Sequence, residues 1–210
     1  PAGPTDVTEW QHVVIASDAT RIAALLSGEV DFVHTVPHQD VARLQRDQRL
    51  KVLVGQENRT MWLAMDQERD ELASSNIRGR NPFTDARVRE AMAIAIDMEA
   101  IRLRVLRGLA VPTASMWTQF VTGYDPAYAT RPAVDRERAR RLLAEAGYPD
   151  GFEVALDCPA GNYDGVCQAA AAMLAQIGIR VRLEIMPNSV FIQKIREGRS
   201  SFYGLTWGVP

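Results

Sequence analysis

The spacing of apolar residues changes several times along the chain, and each change predicts an element. His12-Val13-Val14-Ile15-Ala16 is a short apolar run that predicts a strand. Ser17 or Asp18 then offers an N-cap for a helix over 19–27, with Ile22, Leu25 and Leu26 on one face and Gly28 as the stop. A second strand is expected over 30–33. Pro37 opens a second helix that turns Val41 and Leu44 inward, and 50–54 reads as a third strand. Strand–helix–strand–helix–strand is a βαβ pattern, which implies parallel pairing and an α/β sheet. It is too short to make a domain by itself.

From about Thr60 the pattern restarts. Met61 to Met65 is strand-like, and the polar stretch 68–80 predicts a loop. Thr84 or Asp85 caps a helix running to about Ile96, with Val88, Met92 and Ala95 toward the core. A further helical piece covers 98–106 and stops at Gly108. Residues 111–133 contain three prolines and show no clear period, so they predict a loop. Asp135 caps the next helix, whose apolar stripe is Ala139, Leu142, Leu143 and Ala146. Gly147 sits at C′ and Pro149 blocks continuation. Phe152, Val154 and Leu156 alternate as a strand. A helix over 165–177 closes at Gly178. Ile179, Val181, Leu183 and Ile185 alternate with Arg180, Arg182 and Glu184, a strand with one wet face. Ser189 caps a helix ending at Gly198, and 201–207 is the last strand. There is no internal repeat and no low-complexity segment.

Composition narrows the class. The 210 residues are 47% hydrophobic and 24% charged, the balance of a globular protein rather than a disordered one. No apolar run is long enough for a membrane-spanning helix. The formal net charge of −2 disfavours a nucleic-acid partner. The cations are almost all arginine, since only Lys51 and Lys194 are lysines, and genomic base composition accounts for that. The first nine residues lack the basic and apolar regions of a signal peptide. The chain also stops abruptly after an apolar, aromatic run. Together these predict a piece of a longer protein.

Candidate chemistry is sparse. His34 and His38 are four apart, but Pro37 between them does not sit inside a helix, so a metal pair is not expected. The acidic run Asp66, Glu68, Asp70, Glu71 lacks the central glycine and closing glutamate of a calcium loop, and a solvated loop is the better reading. No phosphate-binding glycine loop, zinc-protease helix or serine nucleophile elbow is present. Without a nucleophile–base pair or a metal set, an enzyme is not expected, and no cofactor is implied. Cys158 and Cys167 lie nine apart, within reach of each other if 159–166 folds back; a disulfide and two buried thiols both fit. Phe202, Tyr203 and Trp207 crowd the last strand, with Tyr203, Leu205 and Trp207 on one face. Core packing is one reading of them. Gly204 and Gly208 weaken this strand unless something must approach closely.

Three segments together resemble a known family. They are Asp18-Ala19-Thr20-Arg21 with 25–31; Asn81-Pro82-Phe83-Thr84-Asp85 through Ala91 with 95–101; and 135–152, from Asp135 through Gly147-Tyr148-Pro149 to Phe152. In this order they are similar to the family 5 extracellular solute-binding proteins, the peptide and nickel receptors of bacterial ABC importers. The resemblance covers about residues 12–208. It implies a periplasmic-binding-protein-like (type II) α/β fragment with a mixed sheet flanked by helices, and it implies function only by analogy. Such receptors are two-lobed clamps. Residues 1–58 would be a partial βαβ tail of the first lobe and 59–210 most of the second, ligand-binding lobe, with a hinge strand near Arg59 to Trp62.

The resemblance further implies capture of a peptide or peptide-like solute and its delivery to a membrane permease, in the periplasm or outside the cell. The competing expectation is a ligand-sensing domain of a transcriptional or signalling regulator that reuses the lobe. Trp207 would wall the ligand cavity, with Asn162, Tyr163, the turn at Asn188 and Trp62 beside it. In peptide receptors of the family an Asp three residues later pairs with the peptide amino group; Pro210 stands there in this chain. Trp207 is expected to be partly exposed and to lie near Asn162, Tyr163 and Asn188. An oxidising compartment favours the Cys158–Cys167 disulfide. Unpaired strand edges and apolar surface over 12–55 are expected to favour self-association.

Overall fold

The computed structural model describes residues 6–161 and 163–208. The chain divides into two compact units, 1–52 and 53–210.

In the first unit two helices form, α1 (Asp18–Ser27) and α2 (His38–Leu44). The Ser17 side chain caps α1 by accepting from Thr20 N, and Gly28 closes it at φ 78°. Ile22, Ala24, Val41 and Leu44 are buried. Arg21 explains the Asp18-Ala19-Thr20-Arg21 segment: it pairs with Asp18 and donates to the Ile15 carbonyl at 3.0 Å and the Thr35 carbonyl at 3.3 Å. The three strands expected over 12–16, 30–33 and 50–54 do not form among the described residues. A strand exists only where its backbone groups find a partner, and these runs pair with none. Val13, Val14, Leu53 and Val54 are left exposed as apolar side chains.

The second unit is a four-stranded mixed sheet with helices on both faces. Its strands are β1 (Arg59–Met65), β2 (Phe152–Pro159), β3 (Ile179–Met186) and β4 (Phe202–Gly208), in the order β1-β4-β2-β3. β2 is parallel to β3 and β4, and β1 is antiparallel to β4. The helices are α3 (Ala86–Ala95), α4 (Met98–Arg104), α5 (Arg136–Glu145), α6 (Asp164–Ala175) and α7 (Asn188–Arg196). From β2 the chain steps through α6 to β3 on one side, then through α7 back across β2 to β4. Right-handed crossovers in opposite directions put α6 and α7 on opposite faces. The contacts agree. Gly204 of β4 faces the Cys167 sulfur of α6, while Tyr203 stacks edge-on against Phe191 of α7 at 6.4 Å.

The main core lies between the α6 face and helices α3, α5 and α6. Phe83, Phe152 and Phe202 are fully buried there, with Phe83–Phe202 ring centroids 5.5 Å apart and Tyr148–Phe152 5.4 Å apart. The long sequence motifs build this core's frame. Asn81 accepts from Phe83 N at 2.8 Å and donates to the Asp66 and Arg69 carbonyls, both at 2.9 Å, so it holds the turn that inserts Phe83. Asp85 caps α3, and Arg87 beside it holds the Asp85 carboxyl below its ordinary range. Asp97 caps α4 and Asp135 caps α5. Gly147, at φ 88°, lets Tyr148 N return to the Leu143 carbonyl at 2.8 Å. Gly151 has a stricter reason: a Cβ there would stand 1.9 Å from the Gly178 carbonyl oxygen.

Two local readings change. α7 begins at Asn188 with Pro187 as its N-cap, so Ser189 lies inside the helix and caps nothing. Pro187 gives the helix no side-chain cap hydrogen bond, and its carbonyl accepts the first helical bond from Phe191 N at 3.0 Å. On the wet face of β3, Arg180 and Arg182 are exposed but Glu184 is half-buried, because Lys194 of α7 reaches it at 3.1 Å.

Candidate functional site

The carboxyl ends of β2, β3 and β4 fall at one end of the sheet, and the chain reverses its direction of travel across β2. In open α/β sheets this is where ligands bind. β1 starts at the same end, because it runs antiparallel to β4: Thr60 stands opposite Trp207, and Trp62 opposite Leu205. Alternation puts Thr60, Trp62, Leu205 and Trp207 on one face. Trp62 and Trp207 are thus diagonal neighbours across two strands. The alternate positions, Met61 and Leu63 of β1 and Gly204 of β4, turn to the core.

A pocket of about 210 Å³ forms here, lined by Asn58, Thr60, Trp62, Met116, Trp117, Thr118, Val121 and Trp207. Its far wall comes from the long loop after α4. That loop is a run of tight turns: Trp117 N bonds Ser115 Oγ at 3.0 Å, Val121 N the Thr118 carbonyl at 3.1 Å, and Tyr124 N the Val121 carbonyl at 3.0 Å. Two side-chain hydrogen bonds tie it to the approach to β1: Thr118 Oγ1 donates to Asn58 Oδ1, and Gln119 Nε2 to Gln56 Oε1. Trp207 is 63% exposed and Trp117 56% exposed, so neither is a core residue.

One ion pair stands next to the pocket's Thr60. Arg59 Nε donates to Glu57 at 2.9 Å, a hydrogen bond that raises the Arg59 pKa. Tyr163 lies in the field of both. Its burial raises the phenol pKa, with Arg59 opposing and Glu57 adding to the shift. Cys158 at the end of β2 and Cys167 in α6 are disulfide-bonded, with Cα atoms 6.7 Å apart, and so tie the intervening loop to the sheet.

The structure therefore brings Trp62 and Trp207 into one pocket and sets Tyr163 beside Arg59, the residue preceding Thr60. Asn188 is exposed at the start of α7 and is not among the residues lining the pocket. Asn162 and Pro210 lie outside the described residues. Asn58, Thr60, Met116, Trp117, Thr118 and Val121 were not foreseen from sequence. One signal pointed to them: Met116, Trp117 and Phe120 are large apolar residues in a stretch with no core-forming period. A larger recess of about 530 Å³ lies at the other end of the β1–β4 ribbon, lined by residues 65–69 with Ile195, Gly198, Ser200 and Tyr203. It is wide open to solvent and lies away from the carboxyl ends of β2 and β4. No group of three or more potential metal-ligating side chains occurs among the described residues.

Solved structures share this fold. The periplasmic binding protein DppA from Helicobacter pylori, in complex with the peptide STSA, superposes with a TM-score of 0.82 at 22% identity, covering 93% of this chain and 36% of that one. A dipeptide-binding protein from Pseudoalteromonas sp. SM9913, in complex with Met-Leu, gives 0.79 at 24% identity, covering 93% and 37%. The class is thus the periplasmic-binding-protein fold of type II. Residues 3–210 match the family described as bacterial extracellular solute-binding proteins, family 5, middle region, and the chain belongs to that family. Among curated relatives, the glutathione-binding protein GsiB of Salmonella choleraesuis (strain SC-B67) is 30% identical over 183 residues, which is 86% of this chain and 33% of the relative. The chain thus spans about a third of the length of the curated relatives it matches. These relatives are binding proteins, not enzymes.

Proposed function

We propose that this chain is part of a receptor that captures a peptide or peptide-like solute between two lobes and hands it to an ABC permease at the membrane surface. Residues 59–210 would form most of the second lobe and 1–58 the tail of the first, with β1 as a hinge strand. The observation that carries this reading is the convergence of Trp62 and Trp207 on one solvent-facing pocket at the carboxyl end of the sheet. Membership of the solute-binding family supports it, as does a relative named for binding glutathione, itself a tripeptide. The Cys158–Cys167 disulfide agrees with work in the periplasm or outside the cell. Closure over the ligand would be a ligand-biased equilibrium between open and closed forms.

Mass spectrometry of the full-length protein, isolated natively from its own host and then denatured, tests this. The reading expects a peptide or peptide-like molecule in stoichiometric amount. A retained sugar or metal chelate in its place would contradict the solute class.

A further inference from the structure

The pocket's lining chemistry is narrower than the family's range of solutes. None of its eight lining residues carries a charge, and three are tryptophans. The polar atoms that line it are partly spent, since the Thr118 hydroxyl donates to Asn58. The ion pair beside Thr60, Arg59–Glu57, is satisfied within itself. A carboxylate or ammonium entering here would lose hydration and meet no opposite charge, which is costly. An apolar group meets the side chains of Trp62, Trp117 and Trp207. The volume also suits one: an apolar cavity of about 150 Å³ accepts benzene, and this one is about 210 Å³.

We propose that the recess bounded by Trp62, Trp117 and Trp207 is a side-chain subsite that selects solutes presenting an uncharged aromatic or large aliphatic group. The proposal rests on the receptor reading above and names the kind of peptide it takes. Selection has two parts. Burial of the apolar group against the rings favours the right solute, and unpaired charge excludes the wrong one. Glutathione, which carries two carboxylates, would gain nothing from this subsite. Trp117 is the specificity-determining residue to probe. It sits on a loop and is 56% exposed, so removing it leaves the core untouched.

The test is calorimetric titration of the full-length protein with Ala-Phe-Ala, Ala-Glu-Ala and Ala-Lys-Ala, repeated with the Trp117→Ala variant. Circular dichroism checks that the variant is folded. The expected result is that Ala-Phe-Ala binds about tenfold or more tighter than either charged tripeptide, and that Trp117→Ala reduces this preference to about threefold or less. Measurable but equal binding of the three tripeptides would overturn the subsite and leave the receptor reading standing. A preference for Ala-Lys-Ala would overturn it in favour of cation–π recognition. A preference that survives Trp117→Ala would overturn the assignment to this pocket. If none of the three binds and no peptide is retained by the natively isolated protein, the receptor reading falls, and the subsite with it.

Discussion

A methyl group on Gly204 would stand 2.9 Å from Cys167 Sγ and 3.1 Å from Cys158 Sγ. The disulfide lies directly on the β4 backbone, and that is why a glycine occupies the middle of a strand that otherwise gains from a side chain. Gly204→Ala is expected to destabilise the protein by about 1–3 kcal/mol through overpacking. The cost should shrink when the sulfurs are removed in a Cys158→Ala, Cys167→Ala background, because the two sites share one contact. Urea denaturation of the four proteins in the cycle measures this; strict additivity would show that the disulfide is not what Gly204 accommodates. At this scale the sequence was half legible. The two cysteines and the weak glycine were both visible, but only the parallel β2–β4 neighbourhood joins them, and residues 158 and 204 are too far apart in the chain for any local pattern to do so. Asn81 is similar. Its place in a motif was readable, whereas its two hydrogen bonds to the 66–69 turn belong to the folded chain.

Among the elements, α7 depends on a buried charge. Lys194 Nζ bonds Asp157 at 2.7 Å and Glu184 at 3.1 Å, and Ser200 donates to the other Asp157 oxygen. Asp157 has a side chain only 4% exposed. Burial acts to lower the Lys194 pKa, but the hydrogen bonds to the two carboxylates outweigh it and leave the pKa raised. The bond from Lys194 is also the main cause of the lowered Glu184 pKa. The signs follow. The Lys194 contribution is present below its ordinary value of 10.5 and is lost as pH rises through the raised one. The Glu184 contribution is present above its ordinary value of 4.5 and is lost as pH falls through the lowered one. Lys194→Met strands Asp157 without a cation and should cost about 3–5 kcal/mol near pH 7. Part of that cost is the lost Lys194–Glu184 bond, whose contribution fades as pH falls through the lowered Glu184 pKa, so the cost should shrink toward about pH 4 and below. Denaturant unfolding of both proteins across that range checks it; a cost independent of pH would contradict the ion-pair account.

Helices were the most legible elements, because caps and stops are local. Asp85, Asp97, Asp135, Gly28 and Gly147 all act within a turn of where they stand. Three of the sheet strands were legible by alternation, and β1 as a short apolar run. The runs at 12–16, 30–33 and 50–54 had strand composition too, but pairing is non-local, and composition cannot supply a partner. The pocket loop was the least legible element. Turns built from Thr113, Ser115 and Thr118 carry no period, and Trp117 meets Trp62 and Trp207 only through tertiary structure.

For the whole molecule, the fold and the proposed function rest on different residues. Fold and family follow from long motifs whose residues cap, turn and pack and do not line the pocket. The proposed function follows from a different set of residues, gathered by topology at the end of the sheet where β1 starts and β4 stops. The two sets meet at β4, where Phe202 and Gly204 build the core while Leu205 and Trp207 face the other way. A receptor of this design should lose ligand affinity without losing stability when its exposed wall is cut back. The most direct measurement is calorimetry of the full-length protein with Trp207→Ala, titrated with the solute recovered from the wild type. The account predicts affinity weaker by about tenfold or more, as for a buried aromatic anchor, with an unchanged urea midpoint. Unchanged affinity would contradict it, as would a variant that unfolds at markedly lower urea, since Trp207 would then be a packing residue and not a wall of the site.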